Sequence, residues 1–121
     1  MNAITPWQKM NDIEAKIEAD KLHGLMLQGC PKIVEHFNRD AIRYQNNELP
    51  DIAYMQELQC MERSVFELMK LCALYLDIYD SFQDKIGNKE EIGKFISDMG
   101  TGLMRFLGNI QRHYKILETK K

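Results

Sequence analysis

The fold is decided by residues 58–117, which read LQCMERSVFELMKLCALYLDIYDSFQDKIGNKEEIGKFISDMGTGLMRFLGNIQRHYKIL. Apolar side chains recur in this stretch at alternating spacings of three and four residues, in two runs. The first run is Leu58, Met61, Val65, Leu68, Cys72, Tyr75, Tyr79, Phe82 and Ile86, and the second is Ile92, Ile96, Met99, Leu103, Phe106, Ile110, His113 and Leu117. Such a repeat keeps one apolar seam along one side of a helix. Because only Gly87-Asn88 separates the runs, they predict two long helices folded back antiparallel.

Residues that are typical of helix ends predict two further helices outside this hairpin. Thr5-Pro6 is typical of a helix start, Gly29 suits a helix end, and Pro31 suits the first position of the next helix. The polar run 45–48 closes that helix, and Pro50-Asp51 opens the following one. The predicted fold is therefore all-α: an antiparallel four-helix bundle in one domain spanning 1–121, with helices over 6–28, 31–46, 50–86 and 89–117.

The same pattern predicts how the helices pack. Counting back across the hairpin turn places three residues of the last helix level with residues of its partner: Gly93 with Phe82, Gly100 with Tyr75, and His113 with Glu62. We expect close helix packing at Gly100, the alternative being a kink or a ligand notch over residues 99–102. We expect an ion pair or a hydrogen bond between His113 and Glu62. The expected buried face of helix 31–46 is Val34, Phe37, Ala41 and Tyr44.

Composition narrows the class of protein. The chain has 45% hydrophobic and 28% charged residues and a net charge of −2, which is the composition of an ordinary globular protein. This charge argues against a surface built wholly for nucleic acid or for an anionic membrane. The three cysteines show no CxxC spacing, so the sequence predicts neither a disulfide framework nor a zinc knuckle. With no apolar run of signal-peptide or membrane-spanning length, we expect a cytoplasmic protein.

Two groups of basic residues are the candidate binding sites. Lys32, His36, Arg39 and Arg43 recur at 4-3-4 spacing and form one stripe on the second predicted helix. This stripe could contact successive phosphates or an acidic partner helix, and the alternative is a solvated face neutralised by Glu35 and Asp40. The second group lies on the outer face of the last helix, where the helix dipole favours cations in any case, and consists of Arg105, Arg112 and Lys115.

The sequence contains few of the residue patterns that known types of catalytic site require. A carboxylate-bridged metal site in a helical bundle needs a Glu-x-x-His motif on each of two helices, and only Asp20 with His23 approximates one. The glycines of Gly100-Thr101-Gly102 lie inside a heptad run with no preceding strand, so they do not form a phosphate loop. We therefore expect no metal and no cofactor, and enzymatic activity is the less favoured reading.

The expected function is binding of another protein by a non-catalytic intracellular helical bundle, as an adaptor, chaperone or regulatory subunit. The partner could also be a second copy, because Phe66 and Leu74 add apolar surface on outer positions of the third predicted helix. The alternative is a small nucleic-acid-binding accessory protein that uses the basic stripe. A third hypothesis is a metal-dependent enzyme with inward carboxylates. No membrane partner is expected.

Overall fold

The computed structural model describes residues 10–119, and these form three long helices. Helix α1 spans Asp12–Gln45, α2 spans Asp51–Phe82, and α3 spans Lys89–Thr119. A short 3₁₀ turn over Gln83–Ile86 follows α2 directly. The all-α prediction is confirmed, and the predicted helices 50–86 and 89–117 correspond to α2 with its 3₁₀ turn and to α3.

The first two predicted helices, 6–28 and 31–46, are a single helix in the described residues, so the four-helix count is not confirmed. Helix α1 passes through Pro31 because its inward positions keep one 3-4 seam across it: Ala15, Ala19, Leu22, Met26, Cys30, Ile33, Phe37, Ala41 and Tyr44. Pro31 itself is exposed, so the carbonyl of Leu27, which loses its helical donor, lies on the solvent side of the helix. Burial of the seam outweighs a proline penalty of about 3 kcal/mol.

Side-chain caps begin two of the helices. The Asn11 side chain accepts a hydrogen bond from the Glu14 backbone N–H at 2.8 Å and caps α1. The Asn88 side chain accepts from the Glu91 backbone N–H at 3.1 Å at the start of α3. The predicted start at Thr5-Pro6 lies outside the described residues.

Helix α2 lies in the middle and is antiparallel to both of its neighbours. Its first turn meets the end of α1, where the rings of Tyr44 and Tyr54 stack at 4.5 Å. Helices α1 and α3 therefore run parallel, and ring contacts join them, including His23 on Phe95 at 3.8 Å. Two apolar clusters form the core. One contains Ala15, Ala19, Leu22, Met26, Tyr75, Ile78, Ile86, Ile92 and Ile96, and the other Leu49, Tyr54, Leu58, Met61, Val65, Leu68, Leu103, Ile110 and Leu117.

The register between α2 and α3 differs from the predicted one. His113 pairs with the Tyr54 hydroxyl, 2.7 Å from Nδ1, so the prediction that it pairs with Glu62 is wrong by about two helical turns. Counting residues back across the turn predicted the wrong partner because the α-helix ends before Gln83, which has a φ of +48°, rather than at Gly87. The turn then closes through Gly87, whose φ of +146° strains any other residue.

Glycine contacts in α3 are also shifted. Gly93 faces Tyr79 rather than Phe82, since a Cβ atom at Gly93 would lie 2.9 Å from the Tyr79 hydroxyl oxygen. A Cβ atom at Gly100 would have no neighbouring atom within 4 Å, so the predicted close contact of Gly100 with Tyr75 is wrong. Close helix approach therefore occurs at Gly93, two turns before the predicted position.

Candidate functional site

Three residues of the predicted basic stripe gather around one buried carboxylate. The Asp40 side chain is only 1% exposed. Its Oδ1 atom lies 3.6 Å from Arg39 Nε and 3.5 Å from Arg43 Nη1. Lys32 is exposed on the same helix. Asp40 therefore neutralises part of the positive charge of the basic stripe, as expected of a solvated face that is neutralised by Glu35 and Asp40.

His36 connects this carboxylate to a second one on α2. Its Nε2 atom lies 2.7 Å from Glu57 Oε2 and 2.9 Å from Asp40 Oδ2. Because an ionised carboxylate only accepts hydrogen bonds, the Nε2–H group of His36 is the donor and Glu57 Oε2 is the acceptor. The Asp40 contact lacks hydrogen-bond geometry, and neither oxygen of this buried side chain has a hydrogen-bond partner.

The helix geometry explains why these three side chains meet. His36 and Asp40 lie one turn apart on α1 and share a face. Glu57 precedes the fully buried Leu58 on α2, so it lies at the edge of the α1–α2 contact. Sequence reasoning singled out His36 as a cation and missed Glu57. The spacing of His36 and Asp40 was a visible signal, whereas the position of Glu57 depends on the register between α1 and α2.

Buried Tyr54 and half-buried His113 form a second polar contact at the same end of the bundle. Burial, with the charges of Asp40 and Tyr44 nearby, raises the pKa of Tyr54 to about 12. Burial and the neighbouring Arg112 lower the pKa of His113 from its usual 6.5. Both groups are therefore neutral at pH 7, and they share the hydrogen bond between the Tyr54 hydroxyl and His113 Nδ1.

The remaining predicted binding residues, Arg105, Arg112 and Lys115, are exposed on α3. Arg112 Nη2 donates a hydrogen bond to the side chain of Asn109 at 2.6 Å. They lie on a different helix from the basic stripe, which belongs to α1. Asp20 and His23 do not form a joint site either, since Asp20 pairs with Lys16 at 3.2 Å, and His23 Nδ1 lies 3.1 Å from the Tyr75 hydroxyl.

Helix α1 also carries a row of exposed apolar side chains, interrupted by the exposed Asp20 and Asn38, which we call the α1 stripe. Its members recur at helical spacing and are 44–73% exposed: Ile13, Ile17, Leu27, Val34 and Ile42. Val34 was expected in the core, but the continuous seam through Ile33 and Phe37 turns it outward. Phe66 and Leu74 of α2 are exposed as well, as the prediction of outer positions required.

A cavity of about 170 Å³ adjoins the α1 stripe between α1 and α3. Its lining is almost wholly apolar and includes Cys30, Ile33, Val34, Met99, Gly102 and Leu103. A Cβ atom at Gly102 would have no neighbour within 4 Å, so the helices do not close over the cavity there. This open space agrees with the notch alternative for residues 99–102 rather than with close packing.

Over residues 10–119, none of the helices combines the length and the hydropathy needed to span a bilayer. Comparison of the chain with protein family models, with curated proteins and with solved structures gave no match.

Proposed function

We propose that this chain is a non-catalytic helical protein that acts by binding another protein, as an adaptor, chaperone or regulatory subunit, through the α1 stripe. The observation that carries the proposal is the stripe itself. Single exposed apolar residues are normal on protein surfaces, but here five large aliphatic side chains follow one helical face beside an apolar cavity.

The shape of this surface suits a helix as the bound element. From Ile13 to Ile42 the stripe is about 43 Å long at the usual rise per residue. An amphipathic partner helix could lay its own apolar seam along it and bury these side chains, each worth roughly 1.5–3 kcal/mol when fully buried. The partner helix would then be a fourth helix beside the three of this chain.

A second copy of the chain is one partner that the stripe can accommodate. Ile13 and Ile42 lie at nearly equal separations on either side of Leu27. Two α1 helices packed antiparallel would therefore place Leu27 against itself and each Ile13 near the Ile42 of the other copy. This symmetry supports a homodimer as one form of the interaction.

The nucleic-acid alternative has weaker support. Arg39 and Arg43 both lie within 3.6 Å of Asp40, and His36 lies between two carboxylates. Cations that already face a carboxylate contribute less to phosphate binding. We propose the cytoplasm as the compartment, and the free thiols of Cys30, Cys60 and Cys72 support this choice.

The test is a charge substitution within the α1 stripe. We expect the double variant Ile17→Glu, Val34→Glu to lose the partner, or the dimer measured by light scattering, because two carboxylates would be buried against apolar surface. Leu25→Glu is the matched control, since Leu25 is 42% exposed on the same helix but lies off the stripe. Circular dichroism should show unchanged helicity in both variants.

Two outcomes would contradict the proposal: binding that survives the double substitution, or binding lost equally in Leu25→Glu. Loss of binding only in a variant with Arg39→Glu and Arg43→Glu, together with a steep dependence on salt, would instead support the nucleic-acid alternative.

A further inference from the structure

We propose that His36, Asp40 and Glu57 form a binding site for one divalent transition-metal ion. This inference concerns the polar cluster between α1 and α2 and is independent of the α1 stripe. The ligand atoms would be the imidazole Nε2 and one oxygen from each carboxylate, all of which lie within 4.8 Å of one another.

The donor set selects the class of metal. One imidazole nitrogen with two carboxylate oxygens suits Zn²⁺, Mn²⁺, Fe²⁺ or Co²⁺ better than Ca²⁺ or Mg²⁺, which prefer oxygen ligands alone. Ligands at about 2.0–2.2 Å from a shared ion lie roughly 3 Å or more apart. The present separations of 2.7 and 2.9 Å from Nε2 therefore need only small side-chain shifts.

The buried carboxylate is the second observation in favour of a site. The Asp40 side chain is 1% exposed, and neither of its oxygens has a hydrogen-bond partner, an arrangement that is costly unless something compensates the charge. The guanidinium groups of Arg39 and Arg43 approach Oδ1 at 3.5–3.6 Å. Asp40 Oδ2 instead faces His36 Nε2, and a cation bound between these two atoms would contact Oδ2. The two arginines would hold Oδ1, as groups outside the ligand set do in metal sites.

A proton is the competitor for this position. The Nε2 proton now joins His36 to Glu57, and a metal ion that binds Nε2 must displace it, to the Nδ1 atom of the same ring when the imidazole is neutral. The two arginines oppose a cation, whereas the two carboxylates attract it. The charges that meet at the site therefore do not exclude a divalent ion.

The experiment titrates the full chain, freed of metal with a chelator, with Co²⁺ and with Zn²⁺. We expect one equivalent of Co²⁺ to give visible absorption bands without a thiolate-to-cobalt band, and calorimetry to report one Zn²⁺ bound per chain. His36→Gln and Glu57→Gln should each weaken binding by at least about tenfold. Glu62→Gln is the matched control, half-buried on the same helix as Glu57, and should change the affinity by less than about twofold.

The proposal would be overturned if neither Co²⁺ nor Zn²⁺ bound to the chain. Equal affinity in all three variants would also overturn it, and a thiolate-to-cobalt band would assign the metal to the cysteines instead. His36 and Glu57 are each about one-third exposed or more, so their variants are expected to fold, and a thermal melt of each apo variant checks this.

Discussion

Replacing Pro31 by alanine should stabilise this protein, because Pro31 lies inside α1 rather than at the start of a helix. A proline in a helix interior costs about 3 kcal/mol relative to alanine, since it removes a hydrogen bond and its ring crowds the preceding turn. Against this, alanine gives the unfolded chain more freedom, which is worth about 0.4–1 kcal/mol. Pro31 is exposed, so little packing is lost. We expect a net gain of about 2 kcal/mol.

Urea unfolding followed by circular dichroism measures this gain. A change of about 2 kcal/mol moves the midpoint by roughly 1 M at the slopes usual for small proteins. Pro50→Ala is the matched control, because Pro50 precedes the first residue of α2 and no helical hydrogen bond is missing there. It should change the stability by less than about 1 kcal/mol.

The reasoning would be refuted if Pro31→Ala were no more stable than the wild type. A proline at the first position of a separate helix is preorganised for that position, so alanine there gains no hydrogen bond. A neutral or negative result would therefore favour two helices, ending and starting near Pro31, over one continuous α1.

Two further predictions use the α2–α3 contact. In urea unfolding, Gly100→Ala should stabilise the protein by about 0.5–1 kcal/mol, because the new methyl group meets open space and alanine favours the helix. Gly93→Leu should instead destabilise it by about 1–3 kcal/mol, because the larger side chain overpacks against Tyr79. Equal effects of the two substitutions would contradict the observed register between α2 and α3. Burial and Arg112 lower the folded-state pKa of His113, so the unfolded chain binds the proton more readily. Stability from this group is fully present above pH 6.5 and falls as the pH drops toward the folded-state pKa. Between pH 5 and 8 the melting temperature should therefore change less with pH in His113→Gln than in the wild type. Parallel curves of melting temperature against pH would contradict this.

The hairpin was predictable because its signals are local. Ile92, Ile96 and Leu103 are buried as the second seam required, and Asn88 caps α3 through its own side chain. Each of these depends on residues within one or two turns of the same helix. Helix α1 was not predicted as one element, because Pro31 is a strong local stop signal and only the burial of its flanking seam overrides it.

The candidate sites were less predictable than the helices. The positions of His36 and Asp40 on one face follow from helical spacing, and two of the three members of the polar cluster could therefore be placed together from the sequence. Glu57 joins them only through the packing of α2 on α1, and no pattern within one helix fixes that register. The α1 stripe was misassigned at Val34, since the sequence does not say which of two adjacent apolar rows faces α2.

The sequence by itself determined the helical class and the two seams of the hairpin, because helix periodicity and capping act over a few residues. Tertiary structure decided the rest: that α1 continues through Pro31, that Tyr54 rather than Glu62 meets His113, and that Asp40 is buried beside His36 and Glu57. These outcomes depend on which faces of three helices share a core. The free energy of burying a face is summed over its whole length, and it outweighs the preference of any single residue.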